Sequence, residues 1–223
     1  LQGTYIAGVY YPDKTRVGWW KNGYPEFFAK VLNAPNWIGI DVKIDGVELD
    51  LNKQKILDFR RELNMKHGYL DRRFTLTLNK NKKLSVAARR FLSMDDDEIG
   101  AIRYEVKPLN FCGEIEMTPY LDGNVRNRDS NYDELFWDNV EARTDKEESI
   151  LVSETRKSGF RVGYTMKYDL FLNTEVISPE RKSIEKSGFA GSSVNVTVKE
   201  GDSIVLYKYV AVVSSLNYSK EKI

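Results

Sequence analysis

The chain has 223 residues, and its 34 Lys and Arg against 33 Asp and Glu give a formal charge of +1, without the basic excess of nucleic-acid-binding domains. Its mean hydropathy of −0.49, with no apolar run near the ~20 residues that cross a bilayer, also argues against a membrane protein. With His67 as the single histidine and Cys112 as the single cysteine, we expect neither a zinc site nor a histidine-based catalytic triad. Carboxylate chemistry is the class of catalysis that these counts leave open.

From Trp37 onward, apolar and polar residues alternate in short segments separated by turn residues, a pattern typical of β-strands. Strands are predicted at 38–44, 47–49, 74–78, 84–88, 102–106, 115–119, 150–155, 160–170, 194–198 and 204–213. Tight turns are predicted at Asp45-Gly46, at the polar residues 79–83, at 157–159 and at 199–202. The polar stretch 124–133 is expected to be a loop with a helical turn, and 173–191 another long connection.

These strands follow one another with no Pro-rich or Gly-rich linker between halves of the chain. The pattern therefore predicts an all-β fold, a single large antiparallel β-sandwich over residues 1–223 with long loops and little helix.

The stretch GTYIAGVYYPDKTRVGWWKNGYPEFFAKVLNAPNWIGIDV, from Gly3 to Val42, is too specific for a generic sandwich. It resembles the N-terminal domain of glycoside hydrolase family 65, the maltose, kojibiose and trehalose phosphorylases. The similarity continues through DFRRELNMKHGYLDRRF, where Asn64 stands in place of the usual Asp, and through RRFLSM and PLNFCG. The length and sequence of the segment around WWKNG are most similar to those of the maltose phosphorylases.

The resemblance implies a supersandwich of the galactose-mutarotase-like kind, joined in the full protein to a C-terminal α/α catalytic barrel. Family members cleave an α-glucosidic disaccharide with inorganic phosphate and invert the anomeric centre, without an organic cofactor. One carboxylic acid protonates the leaving oxygen while phosphate attacks from the opposite face. The resemblance places that acid and the phosphate site in the barrel, outside this sequence, so no catalytic residue is assigned here.

The resemblance also implies the partners of the full protein. These are its own catalytic barrel, a maltose-like disaccharide, phosphate and a second copy in a homodimer. We expect a cytoplasmic location, with a periplasmic or secreted one left open.

One stretch combines aromatic rings with hydrogen-bond donors, as sugar recognition requires. The candidate substrate-binding residues are Trp19, Trp20, Lys21, Asn22 and Tyr24. The alternative is that these aromatic side chains pack against the barrel in the full protein.

Two charged motifs have simpler structural interpretations. Asp95–Glu98 lacks the spacing of a calcium loop, so a solvated turn is expected. The pairs Arg72-Arg73 and Arg89-Arg90 each place neighbours on opposite faces of a strand, which favours salt bridges over an anion patch.

Two other functions compete with a non-catalytic domain of a family 65 phosphorylase or hydrolase. The first is a free-standing carbohydrate-binding module that uses Trp19, Trp20 and Tyr24. The second is a mutarotase-like epimerase, which the fold class alone suggests and the single histidine disfavours.

Overall fold

Two antiparallel β-sheets pack face to face and contain most of the chain, with a two-stranded ribbon beside them. The computed structural model describes residues 3–16, 18, 22–145 and 147–223. The helical segments with described bounds are single turns at Asn79–Asn81, Asn131–Asp133 and Lys220–Lys222. Within the described residues, no helix has the length and apolar character needed to span a membrane.

The larger sheet has nine strands, all paired antiparallel. In spatial order they are β10 (Trp137–Thr144), β11 (Ser149–Thr155), β12 (Arg161–Leu172), β16 (Ile204–Ser214), β8 (Ile99–Pro108), β7 (Lys83–Leu92), β6 (Tyr69–Thr77) and β5 (Lys55–Asn64). The ninth strand, β13 (Glu175–Ile177), pairs with β12. In the outermost strand β5 the register against β6 shifts between Ile56 and Asp58, so Leu57 forms a bulge.

The smaller sheet has five strands. In spatial order they are β14 (Lys182–Lys186), β15 (Phe189–Val198), β9 (Gly113–Asp122), β3 (Ile40–Ile44) and β4 (Val47–Glu48). The ribbon consists of β1 (Tyr10–Lys14) and β2 (Phe27–Val31), which pair antiparallel.

The main core lies between the two large sheets. Every second residue along β8 is buried, because alternate side chains of a strand point to opposite faces. The core joins Val42 and Ile44 of the smaller sheet to Phe74, Leu76 and Val106 of the larger one. Burial of such apolar side chains is the dominant force that holds the two sheets together.

A second hydrophobic cluster lies under the ribbon, at the β10 side of the larger sheet. Tyr11 of β1 and Leu32 after β2 belong to the same cluster as Phe136, Trp137 and Leu151. The indole nitrogen of Trp137 donates a hydrogen bond to the carbonyl of Asn33 at 2.9 Å. This cluster fixes the ribbon, and with it the loop that joins β1 to β2.

The structure confirms the all-β sandwich and most of its predicted turns. Asp45 and Gly46, with φ of 47° and 78°, join β3 to β4 in the left-handed geometry of a tight hairpin. Residues 78–82 link β6 to β7. The 124–133 loop contains a single turn at Asn131–Asp133, in which Tyr132 and Asp133 have left-handed φ of 60° and 53° rather than helical values.

The expectation that 173–191 forms a long connection is wrong. This region contains β13, β14 and the beginning of β15. The strand β14 lies at the edge of the smaller sheet with none of its five residues buried, so its sequence lacks the apolar alternation of a half-buried strand. The ribbon strands before Trp37 were also not anticipated, and β2 has only one buried residue, Lys30.

The sequence predicted that β9 stops near Pro119 and Asp122-Gly123, and the strand continues through Pro119 to Asp122. Pro119 pairs with Ile40 of β3, while pairing of β9 with β15 is interrupted between Met117 and Tyr120. Proline has no backbone N–H to donate, so the strand tolerates it where one ladder is already interrupted.

Candidate functional site

The loop that joins β1 to β2 contains the predicted sugar-binding residues. Asn22 and Tyr24 are exposed, and 60% of the surface of Tyr24 is accessible. The other three, Trp19, Trp20 and Lys21, lie outside the described residues. The structure therefore places two of the five at the surface of this loop.

The base of the loop is closed by hydrogen bonds. The backbone N–H of Thr15 donates to the carbonyl of Glu26 at 2.8 Å, and its hydroxyl donates to the carbonyl of Pro25 at 2.5 Å. Thr15 is buried. Gly23 has a φ of 88°, a left-handed conformation that glycine adopts without strain. The loop is thus held by hydrogen bonds where it begins and ends, while Asn22 and Tyr24 face solvent.

Beneath the loop, the ribbon contains a buried ion pair. The Nζ of Lys30 on β2 lies 2.8 Å from Oδ2 of Asp13 on β1, and their side chains are 8% and 0% exposed. Lys30 also donates to the carbonyl of Asp129 at 2.5 Å. Among the described residues, Oδ1 of Asp13 has no hydrogen-bond partner despite being buried.

The segment 126–134, which we call the support loop, holds the ribbon from one side. The side-chain amide of Asn131 donates to the carbonyl of Lys14 at 2.7 Å, and its oxygen accepts a bond from Arg16 at 3.2 Å. Asn127 accepts a bond from the backbone of Asn33 at 2.8 Å. The support loop therefore contacts the chain beside the candidate site, at Lys14 and Arg16, and again after β2, at Asn33.

Tyr11 connects the ribbon to the end of the support loop. Its ring centroid lies 4.3 Å from that of Phe136, and its hydroxyl donates to Glu134 at 2.8 Å. Burial, and secondly the hydrogen bond to Glu134, raise the pKa of the Tyr11 hydroxyl well above its usual range. Because Glu134 also binds Lys157 at 2.6 Å, Tyr11 donates to a carboxylate whose charge is compensated.

The chemistry of the described part of the site is that of binding. Asn22 offers an amide that donates and accepts, and Tyr24 offers an aromatic face, which together suit a ligand rich in hydroxyl and C–H groups. Among the described residues, no group of three or more His, Cys, Asp or Glu side chains is arranged to hold a metal ion.

The charged motifs singled out in the sequence lie elsewhere. Asp95–Glu98 forms the turn between β7 and β8, where the Asp96 backbone donates to the Ser93 hydroxyl at 3.0 Å. Arg89 makes two hydrogen bonds to Asp71, at 2.7 and 2.8 Å, as expected for a salt bridge. Arg72 and Arg90 face the other side of the sheet, and for them the expectation of salt bridges is wrong, since no carboxylate of the described residues pairs with either.

Lys208 is a feature that the sequence analysis missed, because it interrupts the apolar strand β16. It is fully buried, and its Nζ donates to the carbonyls of Gly39 at 2.9 Å and Tyr120 at 2.7 Å. Burial lowers the pKa of the Lys208 ammonium well below its usual value. The signal that could have revealed it is the apolar alternation itself, since position 208 shares a face with Leu206 and Val210.

Three kinds of comparison relate this chain to known proteins. The family model described as "Glycosyl hydrolase family 65, N-terminal domain" matches residues 1–223. Maltose phosphorylase of Bacillus subtilis is 48% identical over 159 residues, which cover 71% of this chain and 21% of that protein. An alpha,alpha-trehalose phosphorylase of Thermoanaerobacter brockii is 29% identical over 100% of this chain and 30% of its own length.

A solved structure from the human microbiome, described as a suspected kojibiose phosphorylase, has the same fold. It superposes with a TM-score of 0.82 at 21% identity, over 99% of this chain and 28% of the other. This chain thus spans between a fifth and a third of the length of these relatives. The family model covers every residue from 1 to 223, and the chain belongs to glycosyl hydrolase family 65 as its N-terminal domain.

Proposed function

We propose that residues 1–223 form a single, non-catalytic domain of a disaccharide phosphorylase whose leading substrate is maltose. The observation that carries this proposal is the 48% identity to a maltose phosphorylase over 71% of the chain. The trehalose phosphorylase, at 29% identity, makes trehalose the second substrate to test.

In the proposed reaction, inorganic phosphate attacks the anomeric carbon of the glucosyl residue and forms the new C–O bond as the glycosidic bond breaks. The leaving sugar oxygen takes a proton from a carboxylic acid, and the anomeric centre is inverted. We assign that acid and the phosphate site to a C-terminal catalytic barrel, which would be the main partner of this domain. Because the charged sugar phosphate is retained by membranes, the proposal also favours a cytoplasmic enzyme.

We further propose that the loop between β1 and β2 borders the sugar-binding site of the full-length enzyme. Trp19, Trp20 and Tyr24 would stack on the sugar, and Lys21 and Asn22 would bind its hydroxyl groups. The support for this role is the hydrogen-bonded base of the loop, which limits the entropy lost when the loop binds a ligand.

The reaction is tested with the full-length gene product, offered maltose, kojibiose, trehalose or nigerose with inorganic phosphate. Release of β-glucose 1-phosphate from maltose is the expected result. Release of free glucose without phosphate dependence would identify a hydrolase instead. If residues 1–223 alone bound oligosaccharide and the full-length protein turned over none of the four sugars, the free-standing module would replace this proposal.

The loop is tested by substitution in the full-length enzyme. We expect Trp19→Ala and Tyr24→Ala each to raise KM for maltose about fivefold, since one aromatic contact contributes roughly 1 kcal/mol, with kcat nearly unchanged. The matched control is Tyr209→Ala, an exposed tyrosine on the outer face of β16. If the aromatics pack against the barrel instead, these substitutions would lower the melting temperature and leave KM unchanged.

A further inference from the structure

Three arginines lie together on the inner face of the larger sheet, the face that the smaller sheet partly covers. Arg61 of β5 pairs directly with Arg72 of β6, and Arg90 of β7 pairs with Leu70, two positions from Arg72 on the same face. We call Arg61, Arg72 and Arg90 the arginine cluster. Their face is the one that carries the buried core residue Phe74 farther along β6.

The arginine cluster has no acidic partner in the described part of the chain. No carboxylate of those residues lies within 4.0 Å of its guanidinium groups. On the outer face of the same strands, by contrast, Arg89 pairs with Asp71 at 2.7 Å and Arg103 pairs with Glu105 at 2.9 Å. The sheet thus pairs its outer arginines and leaves the inner ones without carboxylates.

Electrostatics make this arrangement unfavourable in isolation. Burial, followed by the nearby charges of Arg72 and Arg61, lowers the pKa of Arg90 from its usual value. Apart from the other two arginines, the groups that contact Arg72 are uncharged, with its guanidinium 5.6 Å from the Phe74 ring and a hydrogen bond to Tyr104. Partly desolvated like charges are stabilised when carboxylates complete the hydrogen bonds of the guanidinium groups.

Apolar side chains surround the cluster on the same face and are left exposed. Leu63 pairs with Leu70 beside the cluster, and Leu92 follows Arg90 on β7. Leu63 is 63% exposed, Leu92 is 60% exposed and Phe59 is 47% exposed. A small anion would neutralise the arginines but would leave this apolar surface in water, whereas a polypeptide would cover both.

We propose that the arginine cluster and the adjoining side chains of Phe59, Leu63 and Leu92 bind an acidic, amphipathic segment of the same full-length polypeptide, outside residues 1–223. This inference rests on the proposed function, since it needs the longer enzyme to which the domain would belong. The relatives, of which this chain covers 21 to 30%, have ample further polypeptide to supply the segment. Tethering in one chain raises its effective concentration, so a few charge-assisted contacts are enough for docking.

Hydroxyl-radical footprinting of the full-length protein tests the proposal. Oxidation of Leu63 and Leu92 is compared with that of Phe91, which is 46% exposed on the outer face, after correction for intrinsic reactivity. We expect Leu63 and Leu92 to be protected in the wild type, and the double variant Arg72→Glu/Arg90→Glu to oxidise them about tenfold faster. Continued protection of the buried Met117 reports that the variant is folded.

Two further variants keep the test specific. Arg72→Lys/Arg90→Lys preserves both charges and is expected to retain most of the protection. It also tests the proposal if the charge-reversed double variant fails to fold. Arg73→Glu, on the outer face next to Arg72, is the matched charge reversal and is expected to behave as the wild type.

Three results would overturn the proposal. Leu63 and Leu92 could be as reactive as Phe91 in the wild type, which would mean that nothing covers them. Protection that required added inorganic phosphate would assign the cluster to a small anion, and protection lost on dilution would assign it to a second copy. Phosphorolysis is measured on the same samples, so protection without activity would reject the proposed function and leave the docking intact.

Discussion

Lys208 places a titratable amine in the interior of the sandwich, where its Nζ donates hydrogen bonds to the carbonyls of Gly39 and Tyr120. These carbonyls lie on or beside the smaller sheet, while Lys208 belongs to the larger one. The side chain therefore joins the two sheets by hydrogen bonds within an otherwise apolar layer. The charge of Asp41 favours the protonated form of Lys208 and so opposes the effect of burial on the Lys208 pKa. The pKa of Asp41 is itself raised, chiefly by burial.

The lowered pKa of Lys208 makes stability depend on pH. In the unfolded chain a lysine keeps its proton up to about pH 10.4, so between the lowered folded pKa and that value the unfolded state binds more protons. The free energy of unfolding must then rise with pH in this window, by at most about 1.4 kcal/mol per pH unit. Lys208→Met removes the titrating group and should remove this rise.

Urea unfolding at a series of pH values, on the wild type and on Lys208→Met, measures the effect. As the pH increases, the free energy of unfolding of the wild type should rise relative to that of Lys208→Met. Parallel pH profiles would mean that Lys208 titrates normally, and would contradict the role of burial.

At the scale of elements, the ribbon is held by buried polar contacts as well as by the hydrophobic cluster beneath it. The ion pair between Asp13 and Lys30 joins β1 to β2. Lys30 also contacts both the carbonyl and the carboxylate of Asp129 in the support loop. Loss of one partner leaves the other charge buried without compensation, which is more damaging than loss of both.

We therefore expect Lys30→Met to lower the free energy of unfolding by about 3 kcal/mol, the low end for a broken buried pair. The double variant Asp13→Asn/Lys30→Met should recover part of that loss. Chemical denaturation of both variants and of Asp13→Asn yields the coupling energy between the two side chains. A coupling energy near zero would show that the pair is not a unit.

Strands were predictable from sequence where one face of the strand is buried and the other is exposed to solvent. β3 and β8 show this alternation, and both lie within the sheets as predicted. β14 and β2 were missed, because strands that bury one residue or none have no apolar period to detect.

The candidate site was predictable only in part. Aromatic and polar residue types singled out the loop that contains Asn22 and Tyr24, and the structure displays both at its surface. The contacts that pin the loop, such as Asn131 to Lys14, join residues more than a hundred positions apart, and local sequence patterns hold no information about such pairs. Family similarity, rather than the residues of the loop, connects it to disaccharides.

At the scale of the whole molecule, one arm of the larger sheet leaves several apolar side chains exposed at the ends of β5 and β7. Leu63, Met65, Leu92 and Met94 are all more than half exposed there. Apolar side chains exposed near one another in this way are typical of contact with another part of a protein.

Residues 1–223 expressed alone should therefore bind a hydrophobic dye several-fold more strongly, per mole, than the full-length protein. Near-ultraviolet circular dichroism is the control for folding, since a loosened core would also bind dye. Equal dye binding by the two proteins, with native spectra, would mean that this arm stays exposed in the full-length protein.

The bulge at Leu57 has a consequence for how the chain behaves at high concentration. β5 is ten residues long and forms the open border of the larger sheet, so its unpaired backbone groups could template cross-chain strand addition and aggregation. A bulge breaks the regular spacing of those groups. The charged side chains of Arg60, Arg61 and Glu62 also disfavour pairing with a strand that lacks the complementary charges. The irregularity thus protects the protein from polymerising through its own sheet.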